Sequence, residues 1–275
     1  MAEQPIQRKV LEDGCNPARY LLNVAEKPYP ALLESTLPGG DLGRYSILCW
    51  NPFKKLTVSR NTVSIENLRT GRSRQFRKDP FKAMSKEFSG HRLPRSTADD
   101  LPFCGGAVGY FSYDLRHRIE RLPRRCHYDI DIPLAVLCFY DHGLVFDHAR
   151  KRTEWVALPG CTQRPPKPAP EADVADRDVP ACTPQSDFTH KEYLRAVRRA
   201  KEYIAAGDIF QVNLSQRFSA RTGAHGTDLY LRMRALNPGP FAGYLQYPGF
   251  EIISSSPERF LLLDGDTVTT RPIKG

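Results

Sequence analysis

What the sequence lacks narrows its class first. No apolar run in the 275 residues approaches the roughly 18 that a membrane span needs. Met1 to Val10 carries Glu3, Arg8 and Lys9 with no apolar stretch behind it, so no secretory signal is expected and the expected location is cytoplasmic. The seven cysteines, Cys15, Cys49, Cys104, Cys126, Cys138, Cys161 and Cys182, are odd in number and form no Cys-x-x-Cys pair. That spacing points to neither a disulfide framework nor a zinc site, and the thiols read as reduced and mostly structural.

What is present fits a globular chain, with hydrophobic residues at 40% and charged residues at 26%. The net charge is +9, and Arg116 to Arg125 holds five arginines against Glu120 alone. Nucleic-acid binding is not expected from this, because no aromatic residue is interleaved with those arginines as a stacking platform requires.

The chain breaks most clearly at Pro159 to Pro184, where proline alternates with Ala, Asp and Glu. Proline at that density removes backbone donors and favours extended, solvated chain, so a linker is predicted. Before it, Arg44 to Trp50, Leu56 to Ile65 and Ala135 to Phe146 alternate in β-branched and aromatic residues and read as strands, with a helix near Asp79 to Phe88. After it, Thr189 with Glu192 three residues on forms a capping-box signature. Leu194, Val197, Ala200, Lys201 and Ile204 follow at helical spacing, and Gly207 ends the helix. Ile209 to Phe218 reads as a strand entering the core, and Thr227 to Leu236 as a second helix.

Strands are then expected over Gly243 to Tyr247, Glu251 to Ser255, Arg259 to Leu263 and Thr267 to Ile273, with a hairpin turn at Asp264-Gly265. The fold class read from this is α+β, with large mixed or antiparallel β-sheets and flanking helices. Because the last strands lack partners, the sheet is expected to be incomplete and the protein to continue past Gly275.

Three residues near the end stand out chemically. Lys274, between Ile273 and Gly275, would lose its proton more easily in a dry site, and Glu258 beside Ser256 could serve as general acid or base. Residue types alone fit a surface lysine and a paired glutamate better.

Longer patterns change that balance. Gly207-Asp208-Ile209-Phe210-Gln211-Val212-Asn213-Leu214-Ser215-Gln216-Arg217-Phe218, then Ser256-Pro257-Glu258-Arg259-Phe260, then Thr270-Arg271-Pro272-Ile273-Lys274-Gly275 resemble, in order and spacing, three blocks of the chorismate-binding enzyme family. That family includes anthranilate synthase component I, aminodeoxychorismate synthase component I, and isochorismate and salicylate synthases. Phe103 to Asp114 is similar to its glycine-rich segment, and Leu32-Leu33-Glu34-Ser35 with Arg44-Tyr45-Ser46 resembles its effector segment.

The resemblance implies an anthranilate synthase component I-like fold, with an N-terminal region at 1–158, the linker at 159–186 and the start of a chorismate-binding catalytic domain at 187–275. It implies that Lys274 stands where anthranilate synthases carry alanine and acts as the nucleophile of an aminodeoxychorismate synthase, with Glu258 as general acid and base. It also implies a glutamine amidotransferase partner that supplies ammonia, and Mg²⁺ whose ligands lie downstream of Gly275. A tryptophan or effector site is implied at Ser35, Leu42, Gly43, Arg44, Tyr45, Pro240, Phe241 and Ala242, although packing alone would also account for Tyr45 and Phe241. The alternatives are an anthranilate synthase component, or a non-catalytic remnant that binds an aromatic amino acid or docks the glutaminase.

Overall fold

A computed structural model describes residues 5–11, 14–37, 41–91, 101–123, 129–171 and 179–273. The chain forms two compact units, one of Met1–Arg177 with Gly226–Gly275 and the other of Asp178–His225.

In the first unit, β1 (Gln7–Leu11), β2 (Ala31–Glu34), β3 (Tyr45–Cys49), β9 (His142–Asp147), β10 (Arg152–Ala157), β13 (Phe241–Tyr247) and β14 (Phe250–Ser256) make one sheet in the order β1-β10-β9-β3-β2-β13-β14. A second sheet holds β4 (Lys54–Val58), β5 (Val63–Asn67), β6 (Ser73–Phe76), β7 (Gly106–Phe111) and β8 (Ala135–Tyr140), in the order β6-β5-β4-β8-β7. The described pairings in both sheets are antiparallel. Helices α1 (Pro17–Val24), α2 (Pro80–Ser89) and α4 (Gly226–Leu236) flank them.

The period-two alternation of the strands builds the layers. Leu32, Leu48, Leu144 and Phe146 pack against Ala18, Tyr20 and Leu21 of α1 and Tyr230 and Leu231 of α4. Their neighbours Ala31 and Cys49 turn the other way, toward Val136, Cys138 and Tyr140 of β8, so the two sheets stack face to face. The opposite face of β8, Ala135, Leu137 and Phe139, meets Ala83 and Met84 of α2. The result is helix, sheet, sheet, helix. β8 is buried throughout, and each large apolar side chain there contributes about 1.5–3 kcal/mol.

Local chemistry starts the helices. Asn16 caps α1 by accepting from the Ala18 amide at 3.2 Å, with Pro17 preset at the first position. Asp79 does the same for α2, which falls where a helix is expected. In the second unit Thr189 and Glu192 close the predicted capping box on α3 (His190–Ala205), and Gly207 beyond it has φ +80°. None of the residues of α3 is buried.

Four expectations need correction. The run Ala135 to Phe146 is two strands in different sheets, β8 and β9, joined by Asp141 alone. The predicted strand at Ile209 to Phe218 is exposed chain, with Phe210 at 93% exposure, and only Phe218–Ser219 (β12) pairs, with Gln185–Ser186 (β11). Alternation gives strand propensity, but a ladder needs a neighbour, and that neighbour exists for two residues alone. The start of the proline-rich stretch is a strap rather than solvated chain: Ala169 is buried and exchanges hydrogen bonds with Arg19 of α1, while Asn23 donates to the Lys167 carbonyl at 2.7 Å. The final hairpin, β15 (Arg259–Asp264) with β16 (Thr267–Arg271), turns at Gly265-Asp266, one residue later than predicted. Gly265 supplies the positive φ of +58° that such a turn needs.

Asp141 carries the switch of sheets. Its carboxylate accepts from His142 Nδ1 at 2.9 Å and pairs with the Arg69 guanidinium. Burial would raise its pKa, but these hydrogen bonds and charges outweigh that and hold it at about 2. The depressed value stabilises the fold above the unfolded pKa of 3.8, and that contribution is lost as pH falls through about 2. Asp141→Asn is expected to lower stability at neutral pH by about 2 kcal/mol and to flatten the acid limb of a urea-unfolding series between pH 4 and pH 2.

Candidate functional site

The eight residues expected to bind an effector converge where β2 ends, β3 begins and β13 begins. The first link is the register of β13 on β2, which sets Ala242 opposite Glu34. The second is Thr36, which donates its amide and hydroxyl to the Gly239 carbonyl at 3.1 Å and accepts the Gly239 amide at 2.7 Å. Pro240, Phe241 and Ala242 are thereby held beside Ser35. The third is a 3-10 turn at Asp41–Gly43, where a Cβ on Gly43 would stand 2.7 Å from the Leu37 carbonyl and 2.8 Å from Ser35 Oγ. Only glycine fits so close an approach.

Ser35 donates its amide to Ser46 Oγ at 3.2 Å. Its own buried hydroxyl has no hydrogen-bond partner among the described residues. Ser46 Oγ lies 2.7 Å from His148 Nε2, and Cys15 Sγ lies 3.6 Å from Nδ1 of the same ring. Burial holds the His148 pKa below its ordinary value, so the ring is neutral at pH 7. Arg44 lies over the Tyr45 ring at 4.6 Å and reaches Asp147 Oδ2 at 3.0 Å. Tyr45 also lines a polar cavity of about 50 Å³ with Arg8, Asp147, Arg150 and Glu154, which is room for a few waters only.

Beneath this patch lies an ion pair that the sequence reading passed over. Glu34, 3% exposed, accepts from Arg234 Nη2 at 2.5 Å, Arg234 Nε at 3.1 Å and Tyr230 OH at 2.6 Å. Burial first, and then the Glu34 charge, push the Tyr230 phenol far above its ordinary pKa, so it stays a donor. A glutamate closing the otherwise apolar run Ala31-Leu32-Leu33 was the available signal.

Glu258 sits on the two-residue connection between β14 and β15, half-buried, where Ser256 Oγ accepts its amide at 3.2 Å and donates to its carbonyl at 3.1 Å. Phe241 is paired with Ser256, and the Arg259 guanidinium lies 5.0 Å over the Phe241 ring. The candidate acid is therefore one strand pair away from the candidate effector patch. Lys274 lies outside the described residues; the register pairs Arg271, three residues before it, with Arg259.

Mg²⁺ finds no suitable set here. Among the described residues, the group of three close enough to share an ion is Asp141, His142 and Cys161. Thiol and imidazole are poor donors for a cation that demands oxygen, and Asp141 is already neutralised by Arg69.

These layers define an anthranilate synthase component I-like fold. The crystal structure of anthranilate synthase component I from Streptococcus pneumoniae TIGR4 superposes with a TM-score of 0.69 at 24% identity, covering 85% of this chain and 55% of that one. The chain belongs to the chorismate binding enzyme family, whose description matches residues 36–275. Relatives include anthranilate synthase component 1 of Thermus thermophilus, 35% identical over 99% of this chain and 60% of the relative. Aminodeoxychorismate synthase component 1 of Escherichia coli (strain K12) is 31% identical over 93% of this chain and 56% of the relative. The chain thus spans a little over half the length of the relatives it matches. No described helix is long and apolar enough to cross a membrane.

Removing one partner of a buried pair leaves a charge without compensation. Arg234→Met is expected to cost about 3–5 kcal/mol in urea unfolding. The double variant Glu34→Gln/Arg234→Met should recover part of that loss.

Proposed function

We propose that the protein acts as an aminodeoxychorismate synthase component I, converting chorismate and ammonia to 4-amino-4-deoxychorismate. The observation that carries this reading is Lys274, in the motif Pro272-Ile273-Lys274-Gly275. In the proposed mechanism its neutral amine attacks C2 of chorismate. Both conjugated ring double bonds shift, and the C4 hydroxyl leaves as water with a proton from Glu258. Ammonia then adds at C4, both double bonds shift back, and the lysine amine departs from C2 with the proton that balances its charge. A glutamine amidotransferase partner supplies the ammonia, and Mg²⁺ is held by residues other than those described.

The placement of Glu258 supports the acid role. Pro257 fixes the backbone before it and the Ser256 hydroxyl clamps its amide and carbonyl, so the side chain leaves a rigid corner rather than a free loop. In the same reading residues 1–158 are the N-terminal anthranilate synthase component I-like region, 159–186 the linker, and 187–275 the start of the chorismate-binding catalytic domain. The unpaired Ser35 hydroxyl supports a ligand of the aromatic amino acid class at the Ser35 patch. Anthranilate synthase is the second reading, because the Thermus relative at 35% identity exceeds the Escherichia coli one at 31%. Lys274 opposes it, since a lysine there fills the space through which ammonia would reach C2.

With its amidotransferase partner and glutamine, the enzyme is expected to turn chorismate into aminodeoxychorismate; fluorescent anthranilate as the main product would overturn the assignment. Lys274→Ala should lose most of the rate and shift the remaining product toward anthranilate. Glu258→Gln should lower kcat by about 10² to 10⁴, with a smaller change in KM for chorismate. Equal weakening of both constants would make Glu258 a residue that orders the site without transferring protons.

A further inference from the structure

The glycine-rich segment that begins at Phe103 plays no part in the chemistry above. Two of its residues, Gly105 and Gly106, border a cavity of about 180 Å³ on the smaller sheet. Phe53 and Phe139 supply aromatic walls, Leu158 an aliphatic one and Tyr140 its backbone carbonyl, while His91 stands at the mouth, exposed. This pocket shares no lining residue with the Ser35 patch.

Its size is that of a single ring: an apolar cavity of about 150 Å³ holds benzene. The glycine pair keeps one wall open. Gly105 and Gly106 have φ of +138° and +146°, which side-chain-bearing residues rarely adopt, and a Cβ on Gly105 would come to 2.8 Å from Leu158 Cδ1. The two phenyl rings present faces and edges on which a planar ring stacks better than an aliphatic one.

The mouth carries the opposite character. Lys54 Nζ lies 2.6 Å from His91 Nε2 and 5.9 Å from the centre of the Phe139 ring. An ammonium can only donate, so Nε2 accepts and the imidazole keeps its proton on Nδ1, as a second donor. Burial and then the Lys54 charge hold the His91 pKa below its ordinary value, so at pH 7 the ring is neutral in this tautomer. Lys54 and Arg74 share one carboxylate, Glu87, which leaves a surplus positive charge beside the mouth. An apolar, ring-sized pocket with donors and excess positive charge at its opening suits a benzoate-like anion, its ring inside and its carboxylate at the rim.

We propose that this cavity binds a small planar aromatic carboxylate, with Lys54 and His91 receiving the acid group and Phe53, Phe139 and Leu158 receiving the ring. The inference is independent of the reaction proposed for Lys274 and Glu258. The test is a fluorine NMR titration of the protein, in the form its source expresses, with 4-fluorobenzoate and with 4-fluorotoluene as its uncharged counterpart. Saturable binding of 4-fluorobenzoate is expected, at least about tenfold tighter than 4-fluorotoluene, as a charge-assisted hydrogen bond implies. Lys54→Met should remove most of that preference. Because that change also takes a partner from Glu87, a second variant is needed: Leu158→Phe fills the cavity without touching a polar group and should abolish binding of both probes. Absence of binding, equal affinity for the two probes, or unchanged 4-fluorobenzoate binding in Leu158→Phe would each overturn the proposal.

Discussion

The antiparallel pairing of β13 on β2 is the constraint from which the rest of the larger sheet follows. It joins residues 242–245 to residues 31–34, across most of the chain. The entropy of closing so long a loop grows only with the logarithm of its length. Burial of Leu32, Tyr230, Tyr244 and Leu245 offsets it. Without that ladder, Pro240 to Ala242 would have no reason to stand beside Ser35, and β14 would have no strand to extend.

Register within this ladder is fixed by charge. On β2, Leu32 faces the α1 and α4 side while Ala31 faces the space between the sheets. Glu34 shares the face of Leu32 and meets Arg234 and Tyr230 of α4 there. A slip of one residue would turn the carboxylate toward the apolar Cys49, Cys138 and Tyr140 and away from Arg234 and Tyr230. Apolar strands alone would tolerate that slip at modest cost, whereas a buried carboxylate would not. The pair thus selects one alignment more than it adds net stability.

Signals contained within a few residues were legible in the sequence. The Thr189 and Glu192 box, the helix near Asp79 to Phe88, the hairpin near Gly265 and the helix before Asn237 all depend on neighbours at most four positions away. What could not be read depends on partners far along the chain. The alternation of Ala135 to Phe146 is the same whether the strand continues or crosses between sheets at Asp141. The strap at Ala169 is anchored by Arg19, about 150 residues earlier, and composition reports proline but not what proline lies against. Of the candidate site, the three family blocks named Glu258 and Lys274, and the effector segments named the Ser35 patch. Glu34 was hidden because its role belongs to Arg234, a residue in an unremarkable helix. The site of β12 shows the converse error, where among the described residues the good strand residues from Ile209 onward pair only at Phe218–Ser219.

The same ladder sets how far the candidate acid can move. Ser256 pairs with Phe241, and the Ser256 hydroxyl holds the backbone of Glu258 two residues on. Phe241 in turn begins the strand that Glu34 and Thr36 hold in place. A shift of the Pro240 to Ala242 segment therefore reaches Glu258 through one backbone pair and one hydroxyl. The Arg259 guanidinium over the Phe241 ring ties the two ends a second time. Packed strands move as units rather than bending continuously, so a displacement of Phe241 is passed to the backbone of Glu258. The cavity beside Lys54 belongs to the other sheet and shares no strand with this path, which leaves it free to respond to a ligand of its own.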